Sequence, residues 1–134
     1  MSVVKLMARS VLVVAALATS ACIVEPAPSS SLGTVELDWT ISGHVDPNLC
    51  TQSSAVTLAV DVFDSRGAAV GSYDASCSAF ATSIDLYAGD YSAEARLLDA
   101  RGGTRTTTVS VVPFRVRGGT TLVIPIDFPS SSFY

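Results

Sequence analysis

The chain has 134 residues, of which 49% are hydrophobic and 15% charged, with eight lysines and arginines against twelve aspartates and glutamates. This length is enough for one domain, and the high apolar content argues against an intrinsically disordered chain. The acidic balance argues against nucleic acid as a partner, because nucleic acid recruits proteins through clustered lysine and arginine.

The first 21 residues have the pattern of a secretory signal peptide. Lys5 and Arg9 form a basic start, an apolar run covers residues 11–18, and small residues follow at 19–21. The uncharged stretch, residues 10–24, is shorter than the roughly 20 residues that a membrane-spanning helix needs. We therefore expect export of the chain and removal of this segment.

The residues around the expected cleavage site resemble a known motif. Thr19-Ser20-Ala21-Cys22 is similar to the lipobox of bacterial lipoproteins, although Thr19 stands where such motifs more often have leucine. The resemblance implies that Cys22 is lipidated and that the lipid bilayer is a partner. Several acyl chains give stable anchoring, whereas a single chain gives only marginal binding. The alternative is ordinary secretion with a free Cys22 thiol.

The residue after Cys22 bears on localisation. In lipoproteins of this kind, retention in the inner membrane is usually associated with an acidic residue directly after the modified cysteine, and Ile23 stands there. The resemblance therefore implies a cell-envelope protein in the outer membrane. Residues 22–134 hold six arginines and all twelve acidic residues. Anionic headgroups should repel such a chain, so the lipid must hold it at the membrane.

Composition divides the rest of the chain. Residues 22–33 contain two prolines and a serine run, which predict an extended, hydrated linker. Residues 34–128 form the predicted domain, and residues 129–134 a C-terminal tail.

Cys50 and Cys77 are the other two cysteines. In an exported chain such a pair predicts a disulfide, with free or redox-active thiols as the alternatives. Two cysteines are too few for a four-ligand structural zinc site.

From Thr34 onward, apolar residues alternate with polar ones, which is typical of half-buried β-strands. The predicted inward residues begin with Val35, Leu37, Trp39 and Ile41, continue with Val56, Leu58, Val60 and Val62, and then with Tyr91, Ala93, Ala95 and Leu97. Weaker strands are expected near residues 69–73 and up to residue 86. Pro113 is expected to break the run from residue 106, and the last strand, through Phe128, should be an edge with Pro125 facing solvent.

Seven short strands in about 95 residues, with no helical period among them, predict an all-β fold. We expect a single Greek-key β-sandwich of the Ig-like or transthyretin-like kind, with a small closed barrel as the alternative.

One local motif favours the sandwich. The segment Leu86-Tyr87-Ala88-Gly89-Asp90-Tyr91 resembles the Leu-x-x-Gly-x-Tyr corner of transthyretin-like and fibronectin-like sandwiches. The resemblance implies a turn at Gly89, where glycine permits a positive φ, and a packed Tyr91 whose hydroxyl bonds back to the loop. Many unrelated functions share this fold, so the motif implies no activity.

The sequence holds few candidates for catalysis, and none of them has a supporting context. His44 is the single histidine, and no Gly-x-Ser-x-Gly nucleophile elbow accompanies it. Asp61 and Glu94 are carboxylates that could meet in space without a sequence signature. The oxygen donors lack the spacing of a calcium loop; they are Asp46, Asn48, Asp61, Asp64, Asp99 and Asp127.

We therefore expect no enzyme, no cofactor and no metal. The first hypothesis is a membrane-anchored envelope lipoprotein that presents a small β-sandwich to a protein or envelope partner. The alternative is a carbohydrate- or peptide-binding accessory module. An exposed row of aromatic side chains or a concave apolar pocket would distinguish the two.

Overall fold

The computed structural model describes residues 31–134. The predicted signal peptide, Cys22 and the linker up to residue 30 lie outside the described residues. The described elements, in chain order, are β1 (Leu32–Ile41), α1 (Pro47–Gln52), β2 (Thr57–Asp64), β3 (Ala69–Ser76), β4 (Ala81–Tyr87), β5 (Gly89–Leu98), β6 (Val109–Val116) and β7 (Thr121–Phe128), with short 3₁₀ helices at Cys77–Ala79 and Ser130–Ser132.

The strands form two sheets. The three-stranded sheet has the order β4-β1-β7 and the four-stranded sheet the order β3-β2-β5-β6. Only the β1–β7 pair is parallel among the described strands, and the other pairs are antiparallel. The predicted all-β sandwich of seven strands is confirmed.

The core lies between the sheets and consists of the inward row of each strand. Val35, Leu37, Trp39 and Ile41 of β1 are all buried, as the alternation predicts. The Trp39 indole N–H donates a hydrogen bond to the carbonyl of Cys77 at 2.9 Å, which satisfies the polar atom of the largest core side chain.

The prediction that Val56 points into the core is wrong, since half of this residue is exposed. Val56 precedes β2, and its backbone bonds to two other segments: its N–H donates to Leu98 and its carbonyl accepts from Cys77. The inward row of β2 therefore starts at Leu58.

The loop between β1 and β2 contains a helix that the sequence pattern did not predict. The Asp46 carboxylate caps α1 by accepting from the Asn48 N–H at 2.9 Å, and Pro47 occupies the first turn, where its missing N–H costs nothing. With six residues, α1 is too short to show a helical period. The segment Asp46-Pro47-Asn48 has residue types that are typical of turns, and it forms the start of this helix.

Of the two strand prolines, one departs from the prediction and the other agrees with it. Pro113 does not end a strand, because β6 continues through it to Val116. It is tolerated because β6 is an edge strand and the β5–β6 register shifts beside it, between Tyr91 and Ala93. Pro125 is exposed on β7, which is an edge strand as predicted.

The ends of the domain extend beyond the predicted limits. β1 begins at Leu32 rather than Thr34. After β7 the tail packs back on the domain: Ser132 is buried, Phe133 forms a β-bridge with Thr106, and the Tyr134 N–H donates to the Arg105 carbonyl.

The strand directions give the sandwich two poles. The near pole, where the chain enters β1, comprises residues 31–33, 64–68, 86–91 and 115–121. The far pole comprises residues 42–56, 77–80, 99–108 and 129–134.

Candidate functional site

The loops of the two poles differ in length. The near pole connects its strands through residues 65–68, residue 88 and residues 117–120. The far pole holds fifteen residues between β1 and β2 and ten between β5 and β6. Binding residues concentrate on loops that a rigid scaffold positions, so the far pole, with the longer loops, is the candidate binding surface.

The far-pole loops are held in place by the predicted disulfide, which the structure contains. Cys50 on α1 and Cys77 after β3 are bonded, with their Cα atoms 6.1 Å apart, and both residues are buried. Arg105 adds a second link, because its Nε donates to the Ser53 carbonyl at 2.9 Å and its guanidinium reaches the Tyr134 carbonyl at 3.4 Å. The loop with α1, the β3–β4 connection and the tail are therefore fixed to one another.

Three concavities open at or next to this pole. One of about 470 Å³ lies between α1 and the β5–β6 turn; it is lined by Thr51, Ser54, Ala55, Val56, Asp99, Ala100 and Arg101. A second, of about 250 Å³, lies beside Leu49 and Phe133. A third, of about 620 Å³, extends from Val45 and Phe80 onto the outer face of the three-stranded sheet at Pro125.

Apolar side chains are exposed around these concavities. Val45 is 67% exposed, Val56 50% and Tyr134 71%. Tyr134 is the only strongly exposed aromatic residue of the far pole within the described chain, so no aromatic row for stacking on sugars forms there.

The predicted corner residues lie at the near pole. The Tyr91 hydroxyl donates to the Tyr87 carbonyl at 2.7 Å, which is the bond that the motif implies, and burial raises the pKa of Tyr91. Gly89 does not adopt the expected positive φ; it starts β5, and a Cβ there would lie 3.5 Å from the Tyr91 ring. A Cβ at that distance would make an ordinary van der Waals contact, so neither the backbone angle nor the packing requires glycine at this position.

The carboxylates Asp61 and Glu94 do meet, as directly opposed residues of β2 and β5. Hydrogen bonds from Ser72 at 2.5 Å and Arg96 at 2.6 Å lower the pKa of Asp61. A carboxyl that acts as a general acid needs a raised pKa, so the arrangement of Asp61 is that of a structural ion pair.

The remaining candidates are separated and engaged in local bonds. Asp64 and Asp99 each accept two backbone N–H groups of their own turns, and Asp127 accepts from Thr40 and Gly43. His44 is exposed in a turn at the far pole. Within residues 31–134, no group of three or more histidine, cysteine or carboxylate side chains is placed to hold a metal ion.

Charge is distributed unevenly over the surface. The outer face of the three-stranded sheet carries four carboxylates and no arginine among the described residues; they are Glu36, Asp38, Asp85 and Asp127. On the outer face of the four-stranded sheet, Asp61, Asp74 and Glu94 accompany Arg96. At the two poles, the numbers of acidic and basic side chains are nearly equal. The near pole has Asp64 and Asp90 with Arg66, Arg115 and Arg117, and the far pole has Asp46 and Asp99 with Arg101 and Arg105.

No family model matches the chain, and no curated protein matches it. Among solved structures, the chain is similar to a leucine-rich repeat protein from Bacteroides thetaiotaomicron, with 18% identity, a TM-score of 0.52, and coverage of 75% of this chain and 12% of that one. It also aligns with a protein of the same organism described as a candidate polysaccharide-binding protein (DUF1812), with 11% identity, a TM-score of 0.44, and coverage of 69% and 46%. This chain spans less than half the length of either protein. The first likeness shows a shared fold.

In the part of the chain that the structure describes, no helix has the length and apolar character needed to cross a membrane.

Proposed function

We propose that this protein is a lipid-anchored protein of the cell envelope whose β-sandwich has no catalytic role and binds a protein partner through its far pole. The observation that carries the proposal is the concentration of long, disulfide-linked loops and apolar concavities at the pole opposite the point where the chain enters the domain. An anchor at Cys22 attaches upstream of β1, so the near pole is tethered and the far pole is presented outward.

The chemistry of the far pole favours a protein or peptide over a carbohydrate. Val45 and Val56 supply exposed aliphatic contact area, and the disulfide holds the loop that carries them in one arrangement, which lowers the entropy lost on binding. Sugar-binding surfaces use aromatic stacking, for which Tyr134 is the single exposed ring at this pole in the described chain. Carbohydrate binding is the alternative function.

Site-specific cross-linking tests the binding surface. A photo-reactive amino acid replaces Val56 at the far pole or, as the matched control, Val123 on β7; the two residues are 50% and 53% exposed. In intact cells, we expect a discrete protein adduct from position 56 and none from position 123. Equal adducts from both positions would contradict the proposal. It would also be contradicted if neither position gave an adduct and the protein were retained on envelope polysaccharide.

Fractionation tests the anchor separately. The Cys22→Ser variant should move from the membrane pellet to the soluble fraction, and Cys22 should carry the lipid in mass spectra of the parent protein. A variant that stays in the pellet would show that the proposed anchor is wrong.

An activity screen tests the proposed absence of catalysis. Purified protein should be inactive on hydrolase substrates, and an activity that is lost in Asp61→Asn would contradict the absence of catalysis.

A further inference from the structure

We propose that the near pole is a membrane-contacting surface, in which Leu32 and Tyr87 insert at the headgroup level while the tether holds the domain upright. This inference rests on the proposed lipid anchor at Cys22. It assigns a function to the pole that the proposed binding site leaves unused.

Leu32 and Tyr87 form an exposed apolar pair at the rim of the sandwich. They are directly opposed on β1 and β4, on the outer face of the three-stranded sheet, and are 51% and 60% exposed. Tyrosine is enriched at membrane–water interfaces, because its ring suits the apolar side and its hydroxyl the headgroups. Leu32 beside it adds apolar area, and this area is removed from water when the pair inserts into the membrane.

Local packing fixes the point where the chain enters the domain. The Ala88 N–H donates to the Ser31 carbonyl at 3.0 Å and the Gly119 N–H donates to the Leu32 carbonyl at 2.9 Å. Gly118 allows Ser31 to approach, since a Cβ at position 118 would clash with the Ser31 side chain. Residues 31 and 32 are therefore part of the folded domain and do not lengthen the tether.

Even at full extension, the tether is no longer than one strand of the domain. Eight residues, 23–30, separate the proposed lipidated cysteine from Ser31, and the nine steps of a fully extended chain from residue 22 to residue 31 span at most about 30 Å. β1 alone, with ten residues, is about 33 Å long. The anchor can therefore hold the near pole at the bilayer while the far pole stays a strand length away.

Charge favours this orientation over one in which a sheet lies on the membrane. The outer face of the three-stranded sheet presents four carboxylates and no described arginine, so an anionic surface repels it. The near pole has three arginines and two aspartates; Arg115 pairs with Asp90 at 2.7 Å, whereas Arg66 and Arg117 have no ion-pair partner among the described residues. These two guanidinium groups are available to lipid phosphates, which arginine binds well.

Tryptophan fluorescence in vesicles tests the proposal. Tyr87→Trp places a reporter at the near pole, and Tyr134→Trp, at a residue 71% exposed, is the matched control at the far pole. Both variants keep the buried Trp39, whose signal is subtracted with the parent protein. The lipidated proteins are reconstituted into phosphatidylcholine–phosphatidylglycerol vesicles with or without brominated acyl chains.

We expect the bromine atoms to quench the indole at position 87 and the vesicles to shift its emission to the blue, while the indole at position 134 is unchanged. Adding Leu32→Ser to the Tyr87→Trp variant should reduce the quenching. Far-UV spectra show whether each variant is folded. Equal quenching of the two reporters, or none of the near-pole reporter in protein that floats with the vesicles, would overturn the near-pole contact. Protein that does not float at all would overturn the anchor and, with it, this inference.

Discussion

Tyr91 shows how a single hydroxyl group joins the two sheets at the near pole. Its O–H donates to the Tyr87 carbonyl across the connection from β4 to β5, and its ring lies 6.1 Å from the Phe114 ring. Tyr91→Phe keeps the ring and removes the hydrogen bond, so we expect a loss of about 1 kcal/mol in the free energy of unfolding. Urea denaturation measures this loss in the free energy of unfolding, provided that the variant and the parent have the same m-value. Tyr73→Phe is the control, because the Tyr73 hydroxyl has no hydrogen-bond partner within residues 31–134, and an equal loss there would contradict the assignment.

Asp61 gives the fold a pH dependence whose sign follows from its partners. Hydrogen bonds from Ser72 and Arg96 lower the pKa of Asp61 from its ordinary value of 3.8. A carboxyl whose pKa is lowered by folding stabilises the fold above that ordinary value, and this contribution is lost as the pH falls through the folded pKa. Asp61→Asn should therefore be less stable than the parent at pH 7, and the difference should shrink below about pH 4. Asp74→Asn is the control, and a difference independent of pH would contradict this account.

The orientation of individual side chains was predictable within strands and less predictable at strand ends. The alternation in β1 placed Val35, Leu37, Trp39 and Ile41 correctly, because a buried sheet face repeats every second residue. The predictions for Val56 and Gly89 were wrong, and each lies at a strand end. The backbone of Val56 bonds to Leu98 and Cys77 outside the β2 ladder, and Gly89 is the first residue of β5.

At the scale of elements, the disulfide connects α1 to the strands. Cys50 and Cys77 are 27 residues apart in the sequence, and the chain-entropy model assigns a loop of that size about 3.5 kcal/mol. We expect Cys50→Ser with Cys77→Ser to lower the free energy of unfolding by roughly that amount. Hydrogen exchange in residues 42–56 should rise more than in β5, and uniform exchange over both regions would contradict a local role for the bond.

Pro125 protects the edge of the three-stranded sheet. Proline lacks an N–H group, so it removes a donor from the β7 edge, where Val123 is also exposed. Pro125→Val should restore that donor and increase self-association, measured by light scattering over a concentration series. Thr121→Val adds apolar surface on the same strand without a new donor and serves as the control. Association of the control to the same extent would show that hydrophobicity alone drives it.

The elements differed in how far the sequence determined them. The seven strands were predictable, because each has enough residues to show the two-residue alternation of a strand. The disulfide was predictable because two cysteines remain when the proposed anchor, Cys22, is set aside. The helix α1 was not, since six residues with one buried side chain carry no period. The predicted break at Pro113 is wrong, because the sequence alone does not reveal that this proline lies on an edge strand with a shifted register.

For the whole molecule, the sequence indicated a tethered sandwich but did not indicate its poles. Which loops share a pole depends on the pairing of strands, such as the parallel pair β1–β7, and long-range pairing leaves no local signature. Only the structure brings the loop of α1, the β3–β4 connection and the tail together. The candidate binding surface was therefore missed, although its disulfide was predicted.

The charge of the whole molecule predicts how the proposed anchor and the proposed near-pole contact divide membrane attachment between them. The sheet faces carry seven carboxylates against one arginine in the described chain, so an anionic membrane repels the domain as a whole. Arg66, Arg117 and the Leu32–Tyr87 pair are too few to hold it at the membrane alone. The mature chain with Cys22→Ser should therefore not bind phosphatidylglycerol vesicles at low salt, whereas the lipidated protein should float with them. Sedimentation assays over a range of salt concentrations measure this. Binding of the variant that weakens as salt is added would reveal a basic attachment surface and contradict the division of roles, because screening weakens only attraction between charges.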